Sequence, residues 1–383
     1  MLIQIHILQN YAPANLNRDD SGSPKDAVFG GTPRGRISSQ CLKRSIRNSV
    51  TFKDAFDAEG LLGLRTKSLP NLMKVELESL NTDATAIQAI VKRVPEIGKK
   101  AEKERADAEG DDESGVTAKQ EDSEEKAETR QLIFIGRNEI RPMAEKLLAL
   151  YNASGPKKWS GVAIDKQLGK SLPLSVDIAM FGRMTTAETF EDVHAAVQVA
   201  HAISTNALTQ EFDYYTAVDD LSGESGAGMI GDVEFNSSTY YKYLNVHWEE
   251  LVKNLGGDAP AREIARRAVL ALLEAAALAQ PSGKQNSFAA HSLPDLILVE
   301  VSQKNLPVSY ANAFLRPARA TGDRTLMDAS VQQLADYTQS LRKTYNLTAA
   351  SAYIATQAYA LTDAQVQPSL GNLQSWLEAQ LPR

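Results

Sequence analysis

Four runs of the sequence read as β-strands, at residues 2–9, 173–180, 239–247 and 295–302, and their order restricts the fold more than any other feature. With helical patterns after the first two and after the third, they give the series β-α-β-β-α-β. The first run, MLIQIHILQNY, alternates, with Ile3, Ile5 and Ile7 on one side and Gln4, His6 and Leu8 on the other. That is the period of a strand with one well-buried face. The second lies in LPLSVDIAMFGRMTT, and the fourth, LPDLILVEVSQ, is apolar on both faces. A chain of 383 residues buries a sizeable core, and its length suggests two or three structural units.

Between and beyond the strands the spacing is helical. SSQCLKRSIRNSV carries Ser38 or Ser39 as an N-cap and Leu42, Ile46 and Val50 four apart. LPNLMKVELESL and RPMAEKLLALY make the middle of the chain, about 55 to 175, mostly helical. A helix is expected from about 187 to 207, an Ala-rich one at 259–279, and closing helices at 329–345 and 370–380. The class is therefore α+β, on the split ferredoxin-like plan of RNA-recognition domains, with the helical middle inserted after the first helix.

The formal net charge of −7 conceals a basic face. Within residues 1–53, eight cations (Arg18, Lys25, Arg34, Arg36, Lys43, Arg44, Arg47 and Lys53) meet three acids, Asp19, Asp20 and Asp26, a local charge of +5. Residues 101–128 have the opposite bias, twelve acids against four cations, and almost no apolar residues, as in a solvated segment. Residues 12–36 form a basic stretch too long for a hairpin turn, and long loops in compact domains are usually functional or disordered. On the helix that follows, Lys43 and Arg47 share a face one turn apart, with Arg44 beside them. Ser hydroxyls at a helix N-terminus and cations along its side suit phosphate, and phosphates in series describe a nucleic-acid backbone. One cysteine, Cys41, excludes an intramolecular disulfide and fits a reducing compartment. No apolar run approaches the roughly 20 residues of a membrane span, and the N-terminus lacks the marks of a signal peptide, so a cytoplasmic protein is expected.

EFDYYTAVDDLSGESGAGMIGDVEFNSSTYYKYLNVHW has hairpin grammar, with β-rich runs at 212–219 and 233–247 around a Gly- and Ser-rich tip. A protruding hairpin of this kind tends to reach a partner. Asp19–Asp20 and Asp219–Asp220 invite a metal reading, but neither pair has a matching third carboxylate or histidine, which favours turn and capping chemistry. His194 and His201, seven apart on the expected helix, read as structural histidines rather than metal ligands.

The blocks L-N-R-D-D, K-D-A-V-F-G-G, R-I-S-S-Q-C-L-K-R-S-I-R, D-I-A-M-F-G-R-M, A-H-A-I-S-T, Y-Y-T-A-V-D-D-L and P-S-G-K-Q-N-S-F-A-A-H resemble, in order and spacing, the CasC backbone subunits of the type I-E CRISPR surveillance complex, Cascade. The likeness runs from the first strand into the C-terminal third and is weakest at about 60–160. It implies a right-hand shape: a palm from 1–55, 171–207 and 239–383, the last part with the C-terminal helices; helical fingers from 56–170; and a thumb hairpin from 208–238. It further implies a non-catalytic subunit whose copies stack head to tail along one CRISPR RNA. Asn17, Arg18, Lys25, Arg34, Arg36, Ser38, Gln40, Lys43, Arg44 and Arg47 would hold the guide backbone, and Met184 would stand as an apolar wedge beside it. Thr216, Ala217 and Val218 would press on the guide of a neighbouring copy and displace a base at intervals, and Lys284 and Gln285 fall in the family's K-Q block. The implied partners are the CRISPR RNA, the target DNA strand paired to it, further copies of the chain, and the large subunit, small subunit, 5′-handle cap subunit and crRNA-processing endoribonuclease. No cofactor, metal or membrane is implied. Related subunits of other CRISPR classes cut RNA with a thumb aspartate, which leaves a metal-dependent ribonuclease using Asp219, Asp220 or the Asp19–Asp20 pair as the alternative.

Overall fold

The computed structural model describes residues 1–96, 128–129, 132–154, 174–184, 192–218 and 227–382. In chain order its elements are β1 (Leu2–Ala14), β2 (Asp26–Phe29), β3 (Thr32–Ile37), α1 (Ser39–Asn48), α2 (Val50–Phe56), β4 (Gly63–Thr66), α3 (Leu69–Ser79), α4 (Ala84–Arg93), β5 (Ile133–Gly136), α5 (Arg137–Ser154), α6 (Val176–Phe181), β6 (Val197–Val199), β7 (Ala202–Ser204), β8 (Glu211–Val218), β9 (Ala227–His247), α7 (Trp248–Asn254), α8 (Ala259–Leu278), α9 (Gln285–Phe288), β10 (Leu296–Ser302), α10 (Leu326–Tyr345), β11 (Ala350–Ala355), β12 (Gln365–Val366) and α11 (Leu370–Gln380). They form two compact units, one of Met1–Ala55, Val197–Glu249 and Ala265–Arg383, the other of Phe56–Ala196 and Glu250–Ile264.

The first unit is built on one sheet in the order β12-β11-β10-β1-β9-β7-β3-β2, with β6 and β8 also paired to β9. β1 lies between β10 and β9 and is antiparallel to both. It therefore separates two strands that run parallel to each other and that follow one another in sequence through a helix. This is the split β-α-β arrangement, and the α+β class read from the sequence is the class observed. Both faces of the sheet are buried. One carries Ile3, Ile5, Ile7, Leu244, Val246, Val299 and Val301. On the other, Leu8, Tyr241, Tyr243, Leu296 and Leu298 pack with Tyr310, Phe314, Met327, Val331 and Leu334. The side of β1 expected to be polar is thus interior as well, and its polar groups are satisfied there: the Tyr243 hydroxyl donates to Gln4 Oε1 at 2.7 Å, and His6 joins Tyr241 and Glu300 at 2.8 and 3.0 Å.

Several elements differ from the sequence reading. The expected strand at 173–180 is helix α6 over Val176–Phe181, while 171–173 lie outside the described residues. Its Val176 to Met180 are all buried, and an apolar run without a polar face has no period to separate strand from helix. The strand missing from the plan is supplied by β6 and β7, where a helix over 187–207 was expected; of that helix, residues 187–191 lie outside the description. Val197 and Val199 are buried with Gln198 out, and Ala202 and Ser204 are buried, a period of two. Of the basic stretch 12–36, residues 15–25 form a loop, preceded by the end of β1 and followed by the β2–β3 hairpin, which turns at Gly30 and Gly31 with φ of 60° and 75°. Two consecutive positive φ values suit a two-residue hairpin, and a Cβ on Gly30 would lie 2.2 Å from the Leu315 carbonyl oxygen. Val50 does not continue the buried stripe of α1; it opens α2 and is 73% exposed.

In the second unit α3, α4 and α5 bury Leu69, Met73, Leu77, Ile87, Ile90, Met143 and Leu147 together beside the β4–β5 ladder. The buried Asp177 carboxylate accepts from Gly63 N and from the Ser175 hydroxyl, at 2.8 and 2.7 Å. The acidic stretch lies outside the described residues apart from Glu128.

Candidate nucleic-acid interface

Helix α1 organises the basic surface. Ser38 is its N-cap, accepting from Cys41 N at 3.3 Å, while Ser38 N donates to Asn17 Oδ1 at 2.8 Å, so Asn17 fixes where the helix starts. Leu42 and Ile46 face the core. The face carrying Cys41, Arg44, Ser45 and Asn48, spaced three and four apart, lines an open groove of about 1080 Å³. Its opposite walls are Leu16, Asn17, Arg18 and Asp19 after β1, and Leu278, Ala279, Gln280, Ser282 and Gly283 at the end of α8. Gly283 makes this closure possible, because a Cβ there would sit 2.2 Å from the Leu16 carbonyl oxygen. The cations at the groove are Arg18 and Arg44, both exposed, with Gln40 at the rim.

A second basic cluster forms around β3 of the same unit. Arg36 donates from Nε to the Asp26 carbonyl at 2.8 Å and lies 3.2 Å from His201 Nδ1. Burial first, then the charges of Arg36 and Lys25, hold the His201 pKa below its ordinary value, which marks a positive local field. Nothing in the spacing of the sequence signalled His201, Asn48 or Gln280 as surface partners; they reach it because sheet pairing and the end of α8 bring distant segments together.

The candidate cations thus fall into distinct environments. Lys43 and Arg47 share an α1 face, as the periodicity required, but that face is half-buried and does not line the groove, and burial pushes the Lys43 pKa down. Arg34 is a correction: it is fully buried and donates to the carbonyls of Ser204, Thr205 and Phe314 at 3.0, 2.8 and 2.7 Å. A charge used to tie three backbone oxygens together is unavailable to a ligand. Lys284 is exposed in a left-handed conformation with φ of 49°, whereas Gln285 braces its own loop by donating to the Pro281 carbonyl at 3.0 Å.

The hairpin is present as β8 paired to β9, with Thr216 opposite Ile230 and Ala217 opposite Met229. Phe212, Tyr214, Met229 and Ile230 are more than half exposed, and Thr216 and Ala217 are exposed beside them. The Val218 side chain and the tip, with Asp219 and Asp220, lie outside the described residues. Asp19 performs turn chemistry: its Oδ1 accepts from the Ser21 hydroxyl at 2.7 Å and from Ser21 N and Ser23 N at 2.9 and 3.0 Å, and these bonds, that of the hydroxyl foremost, lower its pKa. Neither His194 nor His201 lies on a helix.

In the second unit Met184 is 95% exposed. Its neighbour Arg183 is clamped by paired backbone bonds to Val193 at 3.0 and 2.7 Å and by a buried ion pair to Glu139 at 2.8 Å. Burial raises the Glu139 pKa even against the pull of Arg183, so the pair is held at a desolvation cost and fixes the backbone that presents Met184.

Comparison with known proteins agrees with this architecture. A solved chain described as CRISPR RNA-guided surveillance complex, pre-nicking, is 29% identical, with a TM-score of 0.76 over 100% of each chain. Another, from a structure described as CRISPR RNA-guided surveillance complex, is 25% identical, with a TM-score of 0.61 over 99% of each. The comparison with curated proteins finds no match. Because the model of the CT1975-like protein family matches residues 3–379, nearly the whole length, the chain belongs to that family.

Proposed function

We propose that the chain is a backbone subunit of a type I-E Cascade, of the CasC kind: a non-catalytic protein that binds CRISPR RNA, lines up in copies along it, and pre-orders it for pairing with target DNA. The observation that carries this reading is the α1 groove, with Arg18 and Arg44 on its walls and an exposed apolar hairpin on the same unit. The full-length likeness to chains of RNA-guided surveillance complexes supports it. Cations and amides contact phosphate and position a strand without reading its bases, which suits a protein that must accept any guide. Holding the strand ordered lowers the entropy cost of pairing, and a hairpin whose Phe212, Tyr214 and Ile230 face outward is suited to press between bases or against another copy. Arg18, Lys25, Arg36, Ser38, Gln40, Lys43, Arg44, Arg47 and Lys284 then serve the guide backbone, Met184 the wedge, and Thr216, Ala217 and Val218 the thumb contact. The other partners are the remaining Cascade subunits, in the cytoplasm; among the described residues no helix is long and apolar enough to cross a membrane.

The test is co-expression with its neighbouring genes and a CRISPR array, followed by sizing and sequencing of bound RNA. Guide-length RNA in a large assembly is expected; a nucleic-acid-free monomer sinks the reading. In the purified chain, Arg18→Ala with Arg44→Ala should weaken oligoribonucleotide binding and reduce the slope of log affinity against log salt by about 1.4, at about 0.7 per lost phosphate contact.

A further inference from the structure

Beneath the groove lies a buried cation that the reading above does not use. Lys242 of β9 is 2% exposed, and its amine donates to Gln9 Oε1 and to the Tyr11 hydroxyl oxygen, the latter at 3.1 Å. No carboxylate is among these partners. The Tyr11 hydroxyl donates onward to Gln280 Oε1 at 2.5 Å, and Gln280 lines the groove. Gln9 and Gln280 both anchor their amide nitrogens on the Ser292 carbonyl, at 2.6 and 3.0 Å, which leaves the Gln9 oxygen facing the amine. The bonds therefore run in one direction, from Lys242 through Tyr11 to the groove wall, with oxygen acceptors placed for an ammonium.

An unpaired ammonium in this position is unstable by itself. Burial holds the Lys242 pKa down to about 7. The titratable groups around it are Tyr11 on β1, Cys41 on α1 and Tyr240 on β9; burial pushes the tyrosines upward, and it raises Cys41 against the pull of Lys25, Arg44 and Lys242. Near neutral pH these groups stay uncharged, so among the described residues none of the groups around the amine compensates the ammonium, and an external anion can. Cys41 also lines the groove, which places that compensation in the space where a polyanion would lie.

Resting on the RNA-binding reading, we propose that Lys242 is a positioning residue of the groove, acting through Tyr11 and Gln280, and that seating a polyanion there is coupled to uptake of one proton by its amine. The bound anion favours the ammonium, so affinity is greatest at low pH and falls as pH rises through about 7 and above, by at most about tenfold per pH unit for a single linked proton.

Calorimetry on the full chain, with oligouridylate and separately with inorganic polyphosphate, in two buffers of different ionisation heat at pH 7.5, measures the linked proton directly. A fractional uptake of up to about 0.8 proton is expected, because about a quarter of the free amines are already protonated at that pH, together with weakening of both ligands between pH 7 and 9 at fixed ionic strength. Lys242→Met, checked for folding by circular dichroism, should abolish the uptake and the pH slope. Zero uptake in the wild type overturns the proposal without recourse to a variant, and so does uptake that survives in Lys242→Met, which would assign the proton to another base such as His201. Proton-linked binding of polyphosphate without binding of oligouridylate keeps this inference and removes the RNA reading; no binding of either removes both.

Discussion

At the scale of single residues, position in the fold separates side chains that the sequence presents as equivalent. Arg34 and Arg36 are two apart on β3, yet one is bonded to three interior carbonyls and the other is only half-buried, beside His201. Alternation along a strand does not alone account for this, since what decides it is that the carbonyls of Ser204, Thr205 and Phe314 gather around Arg34. Removing the guanidinium takes a donor from each of these carbonyls, of which Thr205 O keeps its bond from Ala318 N, at about 1–3 kcal/mol for each buried group left without a partner. Arg34→Ala should therefore lower the stability of the first unit by about 3 kcal/mol or more in urea unfolding. Under the proposed function, the folded fraction keeps the salt slope of RNA binding, unlike Arg18→Ala with Arg44→Ala.

At the scale of elements, the central sheet holds a polar cluster that constrains its pH range. Glu300 of β10 is met by His6 at 3.0 Å, by the Tyr310 hydroxyl at 2.9 Å and by Arg342 of α10. Burial pushes the Glu300 carboxyl up, but the hydrogen bond and charge of His6 and the charge of Arg342 outweigh it, and its pKa is pushed down to about 2. A carboxylate depressed from the ordinary 4.5 contributes stability above that value and loses it as pH falls toward 2. The shift corresponds to about 3 kcal/mol. Urea midpoints should fall between about pH 5 and pH 2, and Glu300→Gln should be less stable at pH 7 and flatter across that window. A parallel decline in the variant would remove Glu300 from the account.

At the scale of the whole molecule, charge is segregated along the chain, with +5 in residues 1–53 and −8 in residues 101–128. Deleting residues 106–128 moves the formal net charge from −7 to +1. Net charge acts on non-specific association rather than on fold. The deletion should raise the affinity for random-sequence duplex DNA, read by fluorescence anisotropy, by about threefold or more at low ionic strength, and the difference should close as salt screens it. No rise at low salt would show that this segment does not restrain non-specific binding.

What the sequence by itself determined was whatever depends on neighbours within one or two turns: the alternation of β1, the capped α1 with Leu42 and Ile46 inward, the Ala-rich α8, the closing helices and the hairpin of β8 and β9. The α+β class follows from their order. Tertiary structure decided what depends on distant segments. It made 176–181 a helix and 197–204 strands, because a run buried on every side, or one rich in Val and Ala, takes its form from the sheet edge or core that receives it. It also divided the cations, sending Arg34 inside, half-burying Lys43 and leaving Arg18 and Arg44 at the groove. Periodicity places a side chain on a face, but the presence of another segment's carbonyls, aromatic rings or open water at that face is a property of the folded chain.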